Sequence, residues 1–131
     1  MTKTIRVGLV GSKFAARFHW EGIRRVYGVP VQIVGVTSKT ADARDAFARE
    51  KGIRSFETFE EMCALVDVVD LCTPPSSHEH LAVQALEQGK HVIIEKPLTG
   101  YFDSGAPRVY GAKYAQIFRS PGLSWSHDTA V

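Results

Sequence analysis

The sequence is poor in cysteine, in surplus charge and in long apolar runs. Only two cysteines, Cys63 and Cys72, occur in 131 residues. They fall in predicted regular structure without metal-ligand spacing, so they read as buried thiols in a reducing compartment and exclude a disulfide framework. Lys and Arg number 16 against 14 Asp and Glu, a formal charge of +2, and no dense basic stripe appears. That excludes a nucleic-acid binder. No apolar run approaches the roughly 18 residues of a membrane span. The apolar start Val7–Gly11, closed by Ser12 and Lys13, is too short for a signal-peptide core. The expected location is the cytoplasm. With 44% hydrophobic and 23% charged residues the chain has an ordinary globular composition rather than a disordered one, and its length fits one domain.

Apolar runs alternate with helical patterns from the N-terminus. Ile5–Val10 is a β-branched run of the kind buried on both faces of a sheet. Phe14, Phe18, Ile23 and Val26 recur at helical spacing, and Gly28 closes the pattern. Val31–Val36 reads as a second strand, Ala41–Lys51 as a helix stopped by Gly52, and Arg54–Phe56 as a short third strand. Thr58 and Glu61 form a capping box for a helix through Leu65. Val68–Cys72 is a fourth strand, broken by Pro74 and Pro75 because proline cannot donate to a ladder. Ser76 and Glu79 form a second capping box, opening a helix with Leu81, Ala82, Ala85 and Leu86 that ends at Gly89. His91–Glu95 is a fifth strand. The alternation predicts an α/β fold, a doubly wound parallel sheet with helices on both faces and a ligand crevice at the carboxyl ends of the strands. The first 100 residues make one domain in this reading. Residues 101–131 are an irregular extension with one helix at Ala112–Arg119 and a polar tail.

Four segments fall at the crevice. Gly11, Ser12, Lys13, Phe14, Ala15 and Ala16 fit a G-x-G-x-x-G/A dinucleotide fingerprint, with Lys13 in place of the second glycine. A helix N-terminus here offers free N–H groups to a phosphate; Lys13 either adds charge or crowds it. The plainer reading is a strand–helix turn without a ligand. Ser38 and Lys39 follow the second strand, where an NAD site carries an acid for the ribose 2′-hydroxyl. A hydroxyl and a lysine suit a 2′-phosphate, favouring NADP over NAD; an exposed turn is the other reading. Thr73, Pro74, Pro75, Ser76 and His78 lie in a rigid loop that can wall a flat ring, or that simply caps a helix. Glu95, Lys96 and Pro97 end the fifth strand, where Lys96 faces the crevice and burial beside a cationic ring lowers an amine pKa. His19, His78, His80 and His91 show no pairing and read as structural or exposed. No metal set is assigned.

Three blocks resemble the amino-terminal domain of the Gfo/Idh/MocA family, named for glucose–fructose oxidoreductase and inositol dehydrogenase. They are Val7–Gly11 with His19, Val69–Pro75 with His78, and Ala85–Leu98. Their order and spacing agree over roughly residues 4 to 100. The resemblance implies a Rossmann domain binding NAD or NADP, and hydride transfer between nicotinamide and a sugar, cyclitol or related polyol. It implies that Lys96 contacts substrate and nicotinamide, polarising the reacting oxygen or positioning proton transfer. It also implies that the Thr73–Ser76 loop passes the nicotinamide and its ribose.

Three departures stand out. Lys13 breaks the glycine fingerprint. Gly100–Gly105 does not continue as the family's next helix. The family's second α/β domain, with its catalytic Asp and His, finds no length here. Catalysis by this chain alone is therefore expected to be weak or absent. A non-catalytic dinucleotide-binding or partner-docking module is the alternative, its uncovered sheet edge favouring homo-oligomers. A third reading is a structural domain in which Lys13 abolishes binding.

Overall fold

The computed structural model describes residues 2–98. The expectations for Gly100–Gly105, the helix at Ala112–Arg119 and the 101–131 extension lie outside the described residues. Within them the chain runs β1 (Ile5–Val10), α1 (Phe14–Ile23), β2 (Val31–Thr37), α2 (Ala41–Lys51), β3 (Arg54–Phe56), α3 (Phe59–Cys63) and β4 (Val68–Leu71). A 3₁₀ turn (Pro75–Ser77), α4 (His78–Glu87) and β5 (His91–Ile94) follow. The strands form one parallel sheet in the order β3-β2-β1-β4-β5. This is the doubly wound Rossmann arrangement that the alternation predicts.

The core is split by the sheet. Leu9, Val36 and Cys72 pack with Ala16 of α1 and with Phe47 and Ala48 of α2. Val10, Val69 and Leu71 pack on the other face with Met62 and Cys63 of α3 and Ala82 and Ala85 of α4. Alternate residues of β1 and β4 thus feed opposite layers, as a doubly covered strand must. Both cysteines are free and buried. No helix among the described residues is long and apolar enough to cross a membrane.

Two sequence expectations fail locally. The pattern Phe14, Phe18, Ile23 and Val26 does not run as one helix to Gly28: α1 ends at Ile23, which alone of the four packs against the core. Phe14 is 81% exposed, Phe18 70% and Val26 48%, while Ala16 is wholly buried. Close packing of α1 on the sheet needs the small side chain, and Phe14 and Phe18 stack on each other at 6.4 Å on the open flank. The third helix stops at Cys63 rather than Leu65, although Thr58 Oγ1 does accept from the Glu61 N–H at 3.2 Å.

Asp67 fixes the entry to β4. Its carboxylate accepts from the Arg6 backbone N–H at 2.9 Å and from the guanidinium at 3.0 and 2.9 Å. Hydrogen bonding by the Arg6 side chain and backbone holds this carboxyl far below its usual range. Asp67→Ala removes this fork and is expected to lower stability by about 1–2 kcal/mol, read as a smaller urea midpoint at unchanged m.

Candidate functional site

The strands end level with one another. Val10 pairs with Thr37 on one side and Leu71 on the other, and Leu71 pairs with Ile94. The segments that follow these residues therefore share one edge of the sheet.

The first is the turn into α1. Gly11 has φ +107°, and a Cβ there would stand 2.5 Å from the Cys72 carbonyl oxygen. Only glycine fits both constraints. The Gly11 N–H donates to the Thr37 carbonyl at 2.8 Å. Ser12 is buried, and its hydroxyl donates to Ser38 Oγ at 3.1 Å, joining the first segment to the second. Lys13 is the N-cap residue of α1, without a side-chain cap bond, and is exposed, as are Phe14 and Lys39. Ala15 is half-buried. The first turn of α1 holds no acid. Its N-terminus is thus a region of positive potential with no carboxylate of its own turn to oppose an anion.

The second crevice wall is the loop Thr73–Ser77. Ser76 is not the cap of α4. It is exposed, and the N-cap is Ser77, whose hydroxyl turns back to the Pro74 carbonyl at 2.8 Å and lies 2.7 Å from Thr73 Oγ1. Pro75 opens the 3₁₀ turn and moves the helix start past Ser76. Pro74 is exposed and Thr73 and Pro75 are half-buried. His78 is buried between two main-chain oxygens. Its Nδ1 lies 2.9 Å from the Pro97 carbonyl and its Nε2 2.9 Å from that of Thr73.

Glu95, Lys96 and Pro97 are exposed beyond β5, and the Lys96–Pro97 peptide is cis. Glu95 carries a contact that sequence reasoning missed. Its Oε1 lies 3.1 Å from His19 Nε2, and His19 Nδ1 lies 2.9 Å from both oxygens of the wholly buried Asp70. Burial opposes a charge on His19, but Asp70 and then Glu95 outweigh it and raise its pKa. Burial pushes the Asp70 carboxyl up, against the pull of His19. The Cys72 thiol bonds to Asp70 and is likewise pushed up, first by burial and then by that carboxylate's charge. Ligand atoms of His19, Asp70 and Cys72 lie within 4.8 Å of one another. His19 and Asp70 pair here at 2.9 Å, with the Cys72 thiol beside them. No local signal announces the pairing, because its members come from α1, β4 and the end of β5. His80 and His91 are exposed.

The family model for oxidoreductases with an NAD-binding Rossmann fold, Gfo/Idh/MocA, matches residues 5–106. UDP-N-acetylglucosamine 3-dehydrogenase of Acidithiobacillus ferrooxidans is 34% identical over 95 residues, 72% of this chain and 29% of that protein. The WlbA dehydrogenase of Bordetella pertussis, solved with NADH and UDP-GlcNAcA, superposes with a TM-score of 0.68 at 29% identity, covering 76% of this chain and 30% of the other. Biliverdin reductase of Synechocystis sp. PCC 6803, solved with biliverdin and NADP+, gives 0.65 at 30% identity over 72% of this chain and 30% of the other. This chain thus spans 29% of the length of the first of these relatives.

Proposed function

This chain belongs to the Gfo/Idh/MocA oxidoreductases and carries their NAD-binding Rossmann domain, and from that premise we propose that its crevice takes NADP in preference to NAD and serves hydride transfer to or from a sugar or cyclitol hydroxyl. One observation carries the reading. Gly11 is a bare backbone turn, pressed against the Cys72 carbonyl, at the head of a ten-residue helix whose first turn has no acid. A pyrophosphate would meet the free N–H groups of the first turn of α1, which the tight turn at Gly11 brings to the end of β1.

The residues take separate roles. Gly11, Ser12, Lys13, Phe14 and Ala15 receive the pyrophosphate. Ser38 and Lys39 face the adenosine ribose, where a cation and a hydroxyl suit a 2′-phosphate. Thr73, Pro74, Pro75 and Ser76 wall the nicotinamide side, and Glu95 and Pro97 hold the segment carrying Lys96. A nicotinamide dinucleotide held by these residues would supply hydride acceptance or donation. Lys96 polarises the hydroxyl or carbonyl oxygen and passes its proton. The substrate's remaining contacts and the acid–base partners of Lys96 belong to the part of a full-length family member that this chain does not span.

Titration with NADPH and with NADH, followed by nicotinamide fluorescence, tests the reading. The expected result is saturable binding of both, tighter for NADPH. Lys39→Ala is expected to weaken NADPH about tenfold and to leave NADH within about twofold, as loss of one charge-assisted phosphate contact requires. No binding of either, in the native chain and in Lys13→Gly, overturns the proposal. Binding restored only by Lys13→Gly identifies Lys13 as the obstacle in a structural domain.

A second reading rests on the open flank of α1. Phe14 and Phe18 are exposed there, and Ile93 of β5 is 42% exposed. Such apolar surface favours self-association or a partner-docking module. Sedimentation at increasing concentration separates a dimerising chain from a monomer.

A further inference from the structure

The segment Glu95–Pro97 is held from both faces of the sheet by two histidines. His19 comes from α1, in the layer of α1 and α2. It is anchored to buried Asp70 through Nδ1 and meets Glu95 Oε1 through Nε2 at 3.1 Å. His78 comes from α4, in the opposite layer. Its Nε2 lies 2.9 Å from the Thr73 carbonyl and its Nδ1 2.9 Å from the Pro97 carbonyl; both oxygens only accept, so both bonds form together when each ring nitrogen carries a proton. Each ring thus uses one nitrogen on the framework and the other on the segment, and the two rings use opposite nitrogens for it. Lys96 lies between the two held residues. Its own side chain makes no hydrogen bond or ion pair with the described residues.

We propose that His19 and His78 are the positioning residues of Lys96: together they clamp Glu95 and Pro97 and so fix where the lysine stands at the crevice. A lysine has four rotatable bonds and a solvated ammonium, so its own side chain cannot hold a reacting distance to within ~0.5 Å. Its backbone must be fixed instead. Two hydrogen bonds, on the residues either side of it and from opposite layers, do this without occupying the amine. The His78 contact also ties the Lys96 segment to the Thr73 loop, so the two walls assigned to the nicotinamide side move as one. The charged and titratable groups facing His19 are Asp70, Glu95 and, through Asp70, the Cys72 thiol. His78 faces main-chain carbonyls only in these contacts. This role for Lys96 rests on the function proposed above; the clamp itself rests on the geometry alone.

Amide side chains separate the two nitrogens of each ring. The amide nitrogen of Asn occupies the place of Nδ1, and that of Gln the place of Nε2. At position 78, Asn keeps the Pro97 contact and Gln loses it. At position 19, Gln keeps the Glu95 contact and Asn loses it. In the full 131-residue chain, backbone order parameters of Glu95, Lys96 and Leu98 by ¹⁵N relaxation read the clamp without any cofactor. His78→Gln and His19→Asn are expected to drop these values from the rigid range near ~0.85 to below ~0.6, while His78→Asn and His19→Gln stay in the rigid range. The order parameters of β1 should be alike in all four, which shows that each is folded. The NADPH Kd of each losing variant is expected about tenfold above that of its retaining counterpart. A general packing role predicts no such inversion between the two positions. Equal order parameters in the four variants, or the reverse pattern, overturn the clamp whether or not the chain binds a dinucleotide. The inverted pattern of order parameters without dinucleotide binding upholds the clamp and refutes the function it was read to serve.

Discussion

Gly11→Ala is expected to abolish dinucleotide binding and to lower stability by about 3 kcal/mol, the sum of a left-handed backbone held by a side-chain-bearing residue and a hard contact in a packed turn. The first part arises because φ is +107° at this position. The second arises because the new Cβ would stand 2.5 Å from the Cys72 carbonyl oxygen, which is backbone and cannot rotate away. Relief requires β1 and β4 to part at their carboxyl ends, where Cys72 N–H donates to the Val10 carbonyl at 2.9 Å. Gly52→Ala is the matched control. It also has positive φ, +66°, but nothing lies within 4 Å of its Cβ position, so only the backbone part is expected, about 1 kcal/mol. Urea denaturation of both variants, with NADPH titration, makes the comparison. Equal losses would mean that the Cys72 contact relaxes freely and that the turn is not the rigid cradle described above.

Asp70→Asn is expected to have the next largest effect, about 2–3 kcal/mol of lost stability at pH 6. That lies below the range for breaking a fully buried pair, because His19 keeps Glu95 and is 13% exposed on its side chain. The pH dependence gives the sharper reading. The folded-state pKa of His19 is raised above its ordinary 6.5 by Asp70 and Glu95, against burial. A raised histidine binds its proton more tightly when folded. Its stabilisation is complete below the ordinary histidine range and is lost as pH rises through the raised value. The native chain should therefore lose stability from just above pH 6.5 upward, and the slope should flatten in Asp70→Asn. Asp70 contributes with the same sign in a more acid range: its pKa is also raised, by burial, so protonation of that carboxyl favours the folded state as pH falls through it. Urea midpoints between pH 5 and 9 separate the two. An unchanged slope above pH 6.5 in the variant would remove Asp70 as the cause.

The sequence expectations and the structure agree where one element carries its own information. The second helix is read as Ala41–Lys51 and found there, because Gly52 must take a left-handed conformation and leaves no freedom in where the helix stops. Four of the five strands are legible as short β-branched runs between turn residues; β3, Arg54–Phe56, holds no β-branched residue, and the strand order is visible only in the folded sheet. The failures are of another kind. Apolar spacing in α1 identifies a helix but not which face packs. Ala16 wins the sheet side because small size matters more there than hydrophobicity, and Phe14 and Phe18 are left outside. Ser76 and Ser77 are equally good caps by residue type, and only the turn set by Pro75 chooses between them. His19 and His78 carry no mark of pairing, since their partners lie up to 76 positions away and meet them only once the sheet is assembled. Ser38 was legible as a crevice residue, yet its bond to Ser12 depends on β1 and β2 ending level.

The central place of β1 bears on how the chain is made. Of the five strands of this sheet it leaves the ribosome first, and both halves of the sheet require it. Its partner on one flank, β2, begins at Val31, whereas its partner on the other, β4, begins only at Val68. At ~5–20 residues per second, the wait from Val10 to Val68 is on the order of 3–12 s. During that interval β1, β2 and β3 can assemble with α1 and α2 around Leu9, Val36 and Phe47, while the other long edge of β1 stays unpaired. The nascent chain therefore passes through a three-stranded half-sheet with an apolar edge open to wrong partners, and Val68–Leu71 must arrive to close it.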